Sequence, residues 1–124
     1  MFARLGAVLC GLAIALGSFG AHGLEKMAGV TPDRVDAFMT GVRYQFWHGL
    51  ALLAVSLGAR EMLNARFAKL TAWLWMVGAV IFSGALYLLV LLNQPMLGMV
   101  APLGGVSLMV GWGVLVGSLK KPEA

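Results

Sequence analysis

The sequence predicts an all-α protein, an antiparallel four-helix transmembrane bundle with a short amphipathic helix in the first loop. Three observations support this fold class. The 124-residue chain is 60% hydrophobic and only 11% charged, whereas soluble domains are about 45–50% apolar and about 25% charged. Its apolar residues fall into four long runs. The later runs are joined by short links, so consecutive helices must be antiparallel neighbours.

Four helices are predicted, at about 2–24, 42–59, 70–92 and 99–119, within a single domain that spans 1–124. Each is long enough, at a rise of about 1.5 Å per residue, to cross a hydrocarbon core of about 30 Å. None shows the alternation of a strand, and only helices or closed barrels satisfy the backbone in lipid. The first apolar run, Leu5 to Ala21, is longer than the roughly 7–15 apolar residues of a signal peptide, so we expect an uncleaved helix.

The first loop carries the start signals of a helix. Thr31 suits an N-cap, Pro32 the first helical position and Asp33 the first turn. Apolar residues then follow at i, i+3, i+4 and i+7, namely Val35, Phe38, Met39 and Val42. This stripe predicts either a helix lying along the membrane surface or an upstream extension of the second helix.

The basic residues predict the orientation. Six of the nine fall on the side of the termini and the second loop: Arg4, Arg60, Arg66, Lys69, Lys120 and Lys121. The remaining three fall on the other side: Lys26, Arg34 and Arg43. This bias predicts that both termini lie in the cytoplasm. Trp73 and Trp75 fit an aromatic belt on the cytoplasmic side, and Trp47 fits one on the outer side.

Small residues at a spacing of four form rows that let helix backbones approach closely. The rows are Ala7, Gly11 and Ala15; Ala13, Gly17 and Ala21; Ala79 and Ser83; and Gly113 and Gly117. We expect these rows to make contacts within the bundle in the first place, and contacts between copies in the second.

Four longer strings identify a family resemblance. They are "GSFGAHGL" (17–24), "VRYQFWHGLALL" (42–53), "FSGALYLLVL" (82–91) and "APLGGVSLMVGW" (101–112). In this order they resemble the small bacterial inner-membrane family called domain of unknown function 423, whose eukaryotic relatives are called transmembrane protein 256. The third string departs from the family at Ala85, where serine is frequent. The resemblance covers nearly the whole chain and implies a four-helix protein of the bacterial inner membrane, with no established enzyme activity, ligand or cofactor.

The predicted topology brings polar residues of several helices to one side of the membrane. The first helix ends there, the second begins, the third ends and the fourth begins. The candidate cluster consists of His22, Tyr44, Gln45, His48, Ser83 and Tyr87. Spacings of three or four place the members of one helix on a shared face. We expect His48 about one turn inside the membrane and level with His22.

Three interpretations of this cluster are open. The side chains hydrogen-bond one another and tie the helices together, each bond contributing on the order of 1 kcal/mol. Alternatively, they line an outward-facing pocket for a ligand or a proton, since ionisable residues in a membrane are costly and mark functional sites. The third interpretation is a metal held by His22, Glu25 and His48, because two histidines and a carboxylate suit catalytic zinc.

Two further features flank the cluster. Arg43 has two roles open to it: snorkelling to the headgroups, or pairing with Asp36 or Glu25. At the start of the fourth helix, one group of residues indicates a tight helix entry with close packing: Pro102, Gly104 and Gly105. A phosphate loop would need a lysine and a serine or threonine after the glycines.

The sequence shows no set of nucleophile, base and acid, and its single cysteine, Cys10, supplies neither a disulfide nor a metal-binding pair. It therefore favours a non-enzymatic packing or accessory component without a cofactor. The expected partners are the lipid bilayer and, through helix packing, further copies or a larger membrane complex. Orientation accounts for the basic residues, so no nucleic-acid partner is expected. A small transport or ligand-binding protein is the alternative, and an intramembrane metal site is the second alternative.

Overall fold

Four α-helices account for most of the chain in the computed structural model, which describes residues 1–58 and 62–120. They are α1 (Phe2–His22), α2 (Pro32–Gly58), α3 (Ala65–Leu91) and α4 (Ala101–Ser118). Short 3-10 helices lie in the first and third loops, at Leu24–Lys26 and Pro95–Met99. The predicted all-α fold with four helices is confirmed. By length and composition, α1, α3 and the segment Pro95–Ser118 can each cross a membrane.

The second helix begins ten residues earlier than the apolar run that predicts it. The Thr31 hydroxyl accepts a hydrogen bond from the Arg34 backbone N–H at 3.4 Å, and Pro32 is the first helical residue. From there one continuous helix runs to Gly58. Of the two alternatives for the amphipathic stripe, the structure therefore has the upstream extension. A separate surface helix is absent from the described first loop, which holds only the 3-10 turn.

The stripe lies against α1 instead of along a membrane surface. Phe38 is fully buried, and Val42 is buried with it in a cluster that also holds Ala13, Leu24 and Val90. The apolar face of this part of α2 is buried against α1, so the helix continues without a break.

The contacts divide the bundle into two helix hairpins that cross in the same way. A Cβ added at Gly6 of α1 would lie 2.7 Å from the carbonyl oxygen of Gly49 of α2. One added at Gly78 of α3 would lie 2.9 Å from the carbonyl oxygen of Gly104 of α4. In both hairpins the residue four positions after the second glycine also fills the crossing, Leu53 in one and Leu108 in the other. Backbone contact of this kind is possible only where both residues lack side chains.

The hairpins join through α2 and α3, which run antiparallel. Gly41 lies against Ser83, and the ring of His48, further along α2, lies 6.0 Å from that of Trp75, which comes earlier in α3. Four consecutive helices thus alternate in direction, as the short links predict.

The central core corrects one assignment. Trp75 is only 1% exposed and packs with Leu9, Leu52 and Leu108 from the other three helices. The prediction of an interfacial belt is therefore wrong for Trp75. Trp73, by contrast, is about half exposed. Two positions apart on a helix, the two side chains point to different faces.

The rows of small residues are also sorted by the structure. Ala79 and Ser83 are buried, and Gly17 packs against Val42, as predicted for contacts within the bundle. Two other rows face outwards: Ala7, Gly11 and Ala15 are exposed, and so are Gly113 and Gly117. The expectation of intra-bundle packing is therefore wrong for these two rows. A spacing of four defines a face but does not say which way that face points.

Hydrogen bonds of polar groups define the two ends of α3. The Asn64 side chain accepts from the Arg66 N–H at 3.1 Å and starts α3, five residues before the predicted start. At the other end of α3, Asn93 adopts a left-handed φ of 51°, and both the Gln94 N–H and the Arg34 guanidinium donate to the Leu89 carbonyl. Two residues of the predicted charge bias lie outside the described residues: Arg60 and Lys121.

Candidate functional site

Gln45 is the central polar side chain between the helices. Its Nε2 donates to the backbone carbonyl of Leu9 in α1 at 2.8 Å. Its Oε1 accepts from the Tyr87 hydroxyl of α3 at 2.6 Å. One buried amide thus connects three helices, with its donor and its acceptor each used once.

A second bond joins the same two central helices. The Ser83 hydroxyl of α3 donates to the Gly41 carbonyl of α2 at 2.7 Å. Gly41 makes this approach possible, because a Cβ there would lie 2.9 Å from the Tyr87 ring. Serine and glycine therefore act together, one supplying the donor and the other the space.

The imidazole of His48 is held at both nitrogens. Nδ1 lies 2.8 Å from the Tyr44 carbonyl of its own helix, and Nε2 lies 3.0 Å from the indole Nε1 of Trp112 in α4. A carbonyl only accepts and an indole N–H only donates, so the partners define the neutral tautomer with its proton on Nδ1. Binding a proton or a metal at Nε2 requires the Trp112 bond to break.

Aromatic rings surround this histidine. Its ring centroid lies 5.9 Å from that of Trp112 and 6.0 Å from that of Trp75, both edge-on. Tyr44 contributes its ring as well as its carbonyl, packing 4.7 Å from Phe82. The environment is thus apolar around a fully bonded polar group.

His48 lies far along the bundle axis from His22 and not beside it. His48 follows Pro32, the start of α2, by 16 residues, about 24 Å of helix axis. Its neighbour Gly49 packs against Gly6 of α1, and Gly6 precedes His22 by another 16 residues. His22 is exposed at the end of α1. The prediction that the two histidines are level is therefore wrong, because it rested on a start of α2 near Val42.

The residues of the metal interpretation are not brought together. Within residues 1–58 and 62–120, no group of three His, Cys, Asp or Glu side chains is placed to hold a metal. Glu25 lies exposed in the 3-10 turn after α1, far along the axis from His48.

The residues that start the fourth helix serve close packing in the structure. α4 begins at Ala101 with Pro102 in its first turn. Gly104 meets the backbone of Phe82 and Gly78, whereas a Cβ on Gly105 would make an ordinary contact of 3.7 Å with the Phe82 ring. Arg43 lies 3.7 Å from Asp36, the pairing that the heptad spacing allows.

Several members of the network are missing from the sequence-based cluster. Trp112 holds His48, and the Ser107 hydroxyl of α4 donates to the Leu74 carbonyl of α3 at 2.8 Å. The Cys10 thiol points to the Phe46 carbonyl at 3.7 Å. Trp112 and Ser107 both lie in the string 101–112, so the sequence marks this segment as part of the family pattern. It does not mark Trp112 as a partner of His48, because a tryptophan near a helix end is more commonly interpreted as a residue of the membrane boundary.

Two buried polar atoms have no partner among the described residues: Thr71 Oγ1 and Trp75 Nε1. Both residues belong to α3, one turn apart, and Trp75 contacts the His48 ring. Buried polar groups are normally paired, so this part of α3 is the place where the network is incomplete.

Comparison with known proteins identifies the family. The family model described as "Protein of unknown function (DUF423)" matches residues 16–105. The chain belongs to this family. The matched range holds every residue of the predicted cluster, from His22 to Tyr87, which confirms the resemblance seen in the strings.

Curated relatives agree over most of their length. The chain is 39% identical over 117 residues to "UPF0382 membrane protein YwdK" of Bacillus subtilis, covering 94% of this chain and 93% of that protein. It is 37% identical over 108 residues to "UPF0382 inner membrane protein YgdD" of Escherichia coli, covering 86% and 80%. No solved structure matches the chain. The protein is thus a membrane protein, as its composition predicts.

Proposed function

We propose that the protein is a non-enzymatic component of the bacterial inner membrane that acts through helix packing. One observation carries this proposal: three polar side chains between the helices form hydrogen bonds with other helices of the same chain. Gln45, Ser83 and Trp112 each join two helices or more. A group held in this way serves to fix the bundle, since its hydrogen bonds join one helix to another.

The outward surface supplies the means of association. The exposed row Ala7, Gly11 and Ala15 of α1 leaves room for the backbone of another helix, because a Cβ at Gly11 would meet nothing within 4 Å. Lipid tails are as apolar as leucine, so transmembrane helices associate by close packing rather than by a hydrophobic drive. The proposed partner is a further copy of the chain or another membrane protein.

In-cell photo-cross-linking tests this proposal. A photoreactive residue at Ala15 of the full chain is expected to give a discrete cross-linked species, whose mass separates a homo-oligomer from a larger complex. Gly11→Leu fills the row and should reduce the amount of the cross-linked species. Gly84→Leu, on the outward face of α3, should leave that amount unchanged. Single-step photobleaching of labelled protein together with no cross-linked species would refute the proposal.

The proposed orientation has both termini in the cytoplasm, supported by the six-to-three distribution of basic residues. A reporter that fluoresces only in the cytoplasm, fused after residue 124, should be bright. A periplasm-dependent phosphatase at the same place should be inactive. The reverse pattern would invert the assignment.

The alternative function is a small ligand-binding or transport protein. The observation that favours it is Trp75 Nε1, a buried donor without a partner among the described residues, on a ring whose centroid lies 6.0 Å from that of His48. A small polar ligand would satisfy this donor. A metabolite-library thermal-shift screen tests it. A ligand that stabilises the wild type, but not a folded His48→Ala variant, would replace the packing proposal with this one.

A further inference from the structure

A groove runs along the outer side of the first hairpin. Its volume is about 290 Å³, and it is lined by Ala13, Ile14, Gly17, Val42, Arg43, Phe46 and Trp47. Gly17 and Ala13 form its floor because they carry little or no side chain. All of its lining is apolar except Arg43.

The groove opens away from the rest of the bundle. α2 meets α3 through Gly41 and His48, whereas Ile14 and Trp47 at the groove are more than half exposed. In a membrane protein such a surface faces hydrocarbon, where an acyl chain is the available occupant.

Arg43 stands at the end of the groove nearest the membrane boundary. Its neighbour Val42 packs against Gly17, five residues before the end of α1 at His22, or about 8 Å of helix axis. Arginine side chains extend over that distance to reach the headgroups. The Asp36 contact lies one heptad towards the start of α2, which shows that the guanidinium points to this boundary.

The Asp36 contact leaves the guanidinium able to bind an anion. The two groups are 3.7 Å apart, longer than a hydrogen bond, and their side chains are 45% and 80% exposed. Exposed pairs of this kind contribute little. The planar fork of N–H donors matches a phosphate oxygen pair.

We propose that this groove is a phospholipid-binding site, with one acyl chain between α1 and α2 and the lipid phosphodiester on Arg43. The proposed occupant is a membrane phospholipid of the leaflet that contains the end of α1. Charge complementarity selects the phosphodiester, and the apolar lining selects the chain. The site goes beyond the packing function and uses a different face of α1 from the Gly11 row.

The experiment uses the full chain in phosphatidylcholine nanodiscs that contain a minor fraction of phosphatidylglycerol with a diazirine midway along one acyl chain. After illumination, the labelled residues are mapped by mass spectrometry. We expect label concentrated on Ile14 and Trp47. Label spread equally over other exposed positions, such as Leu12 and Val110, would mean non-specific lipid contact only and overturn the proposal.

Two pairs of variants sharpen the result. Gly17→Leu fills the groove and should lower the labelling of Trp47 several-fold, whereas Gly11→Leu on the same helix should leave it unchanged. Arg43→Gln should lower the affinity for the phospholipid about tenfold, because a charge-assisted hydrogen bond to the phosphodiester is lost. Arg66→Gln, at the exposed start of α3, is its control.

Each result decides the question. Equal labelling in folded Gly17→Leu and Gly11→Leu proteins contradicts the site, and so does equal affinity of the two arginine variants for the phospholipid. If Gly17→Leu fails to fold, the arginine pair decides alone. Gly11→Leu should reduce the cross-linking between proteins and leave the lipid labelling unchanged. Gly17→Leu should reduce the lipid labelling and leave the cross-linking unchanged. Failure of this proposal is therefore distinguishable from failure of the packing function.

Discussion

The hairpin of α1 and α2 and the hairpin of α3 and α4 cross in the same register, at Gly6–Gly49 and Gly78–Gly104. They differ in polarity. α2 is the least apolar of the four helices. Among the described residues, α1, α3 and the segment Pro95–Ser118 are the helices that are long and apolar enough to cross a membrane. α2 carries Gln45 and His48 in its middle, both buried. It is also the helix that lies between α1 and α3.

The difference separates two kinds of contact. Within each hairpin, glycine lets the backbones touch at the crossing, and one side-chain bond adds to that contact, from Gln45 to Leu9 in the first hairpin and from Ser107 to Leu74 in the second. Between the hairpins, hydrogen bonds donated by Tyr87, Ser83 and Trp112 hold the helices. Since α2 has protein on two sides, it can carry polar groups that a lipid-facing helix could not.

The largest effect is expected at the crossing of the second hairpin. Gly104→Ala places a methyl group against the backbone of Phe82 and Gly78, neither of which can move aside. We expect a destabilisation of about 3 kcal/mol or more, measured by reversible unfolding in mixed micelles. Gly105→Ala is the control, because its methyl group would make only an ordinary contact. Equal stability of the two variants would contradict the crossing.

A smaller effect is expected at Gln45, which links α2 to α1 and to α3. Gln45→Leu removes the bonds to the Leu9 carbonyl and the Tyr87 hydroxyl, and should cost about 1–2 kcal/mol in the same unfolding measurement. Ser18→Ala should cost almost nothing, because that hydroxyl bonds only to Ile14 within its own exposed turn. A neutral Gln45→Leu would show that the link is dispensable.

A single bond to α4 should matter less. Trp112→Phe keeps an aromatic ring but removes the donor to His48 Nε2, at a cost of about 0.6 kcal/mol. Nitrogen NMR of the imidazole should show the change at Nε2, while Trp73→Phe on the exposed face of α3 leaves the signal unchanged. An unaltered Nε2 signal in Trp112→Phe would argue against the bond.

The smallest effect is expected at the surface ion pair. Asp36→Asn removes the partner of Arg43, whose contact is long and exposed, so stability should fall by less than about 0.5 kcal/mol. High salt should remove the difference between the variant and the wild type. A larger, salt-independent loss would mean that the pair holds the start of α2.

Much of the fold follows from local sequence, and the site follows less well. The stripe Val35, Phe38, Met39 and Val42 is visible in the sequence, yet it fits a surface helix as well as an extension of α2. Only contact with Gly20 and Ala13 of α1 favours the extension. The Gly6–Gly49 contact then separates His48 from His22 along the bundle axis.

The partners of the polar residues show the same limit. Spacing places Tyr44 and His48 on one face, and the structure joins them through the Tyr44 carbonyl. Spacing cannot indicate that Trp112 of another helix donates a hydrogen bond to His48. Nor can it indicate that Trp75 is buried while Trp73 is exposed. Those facts depend on the rotation of each helix about its axis.

The sequence by itself determined the medium, the number of helices and their alternating direction. These follow from composition, run length and short links, because every backbone polar group in lipid must be satisfied within its own segment. The tertiary structure alone decided which face of each helix is buried and which partner each polar group has. The physical reason is that lipid and protein interior are both apolar, so a helix that is hydrophobic all round carries no mark of which side meets its neighbour.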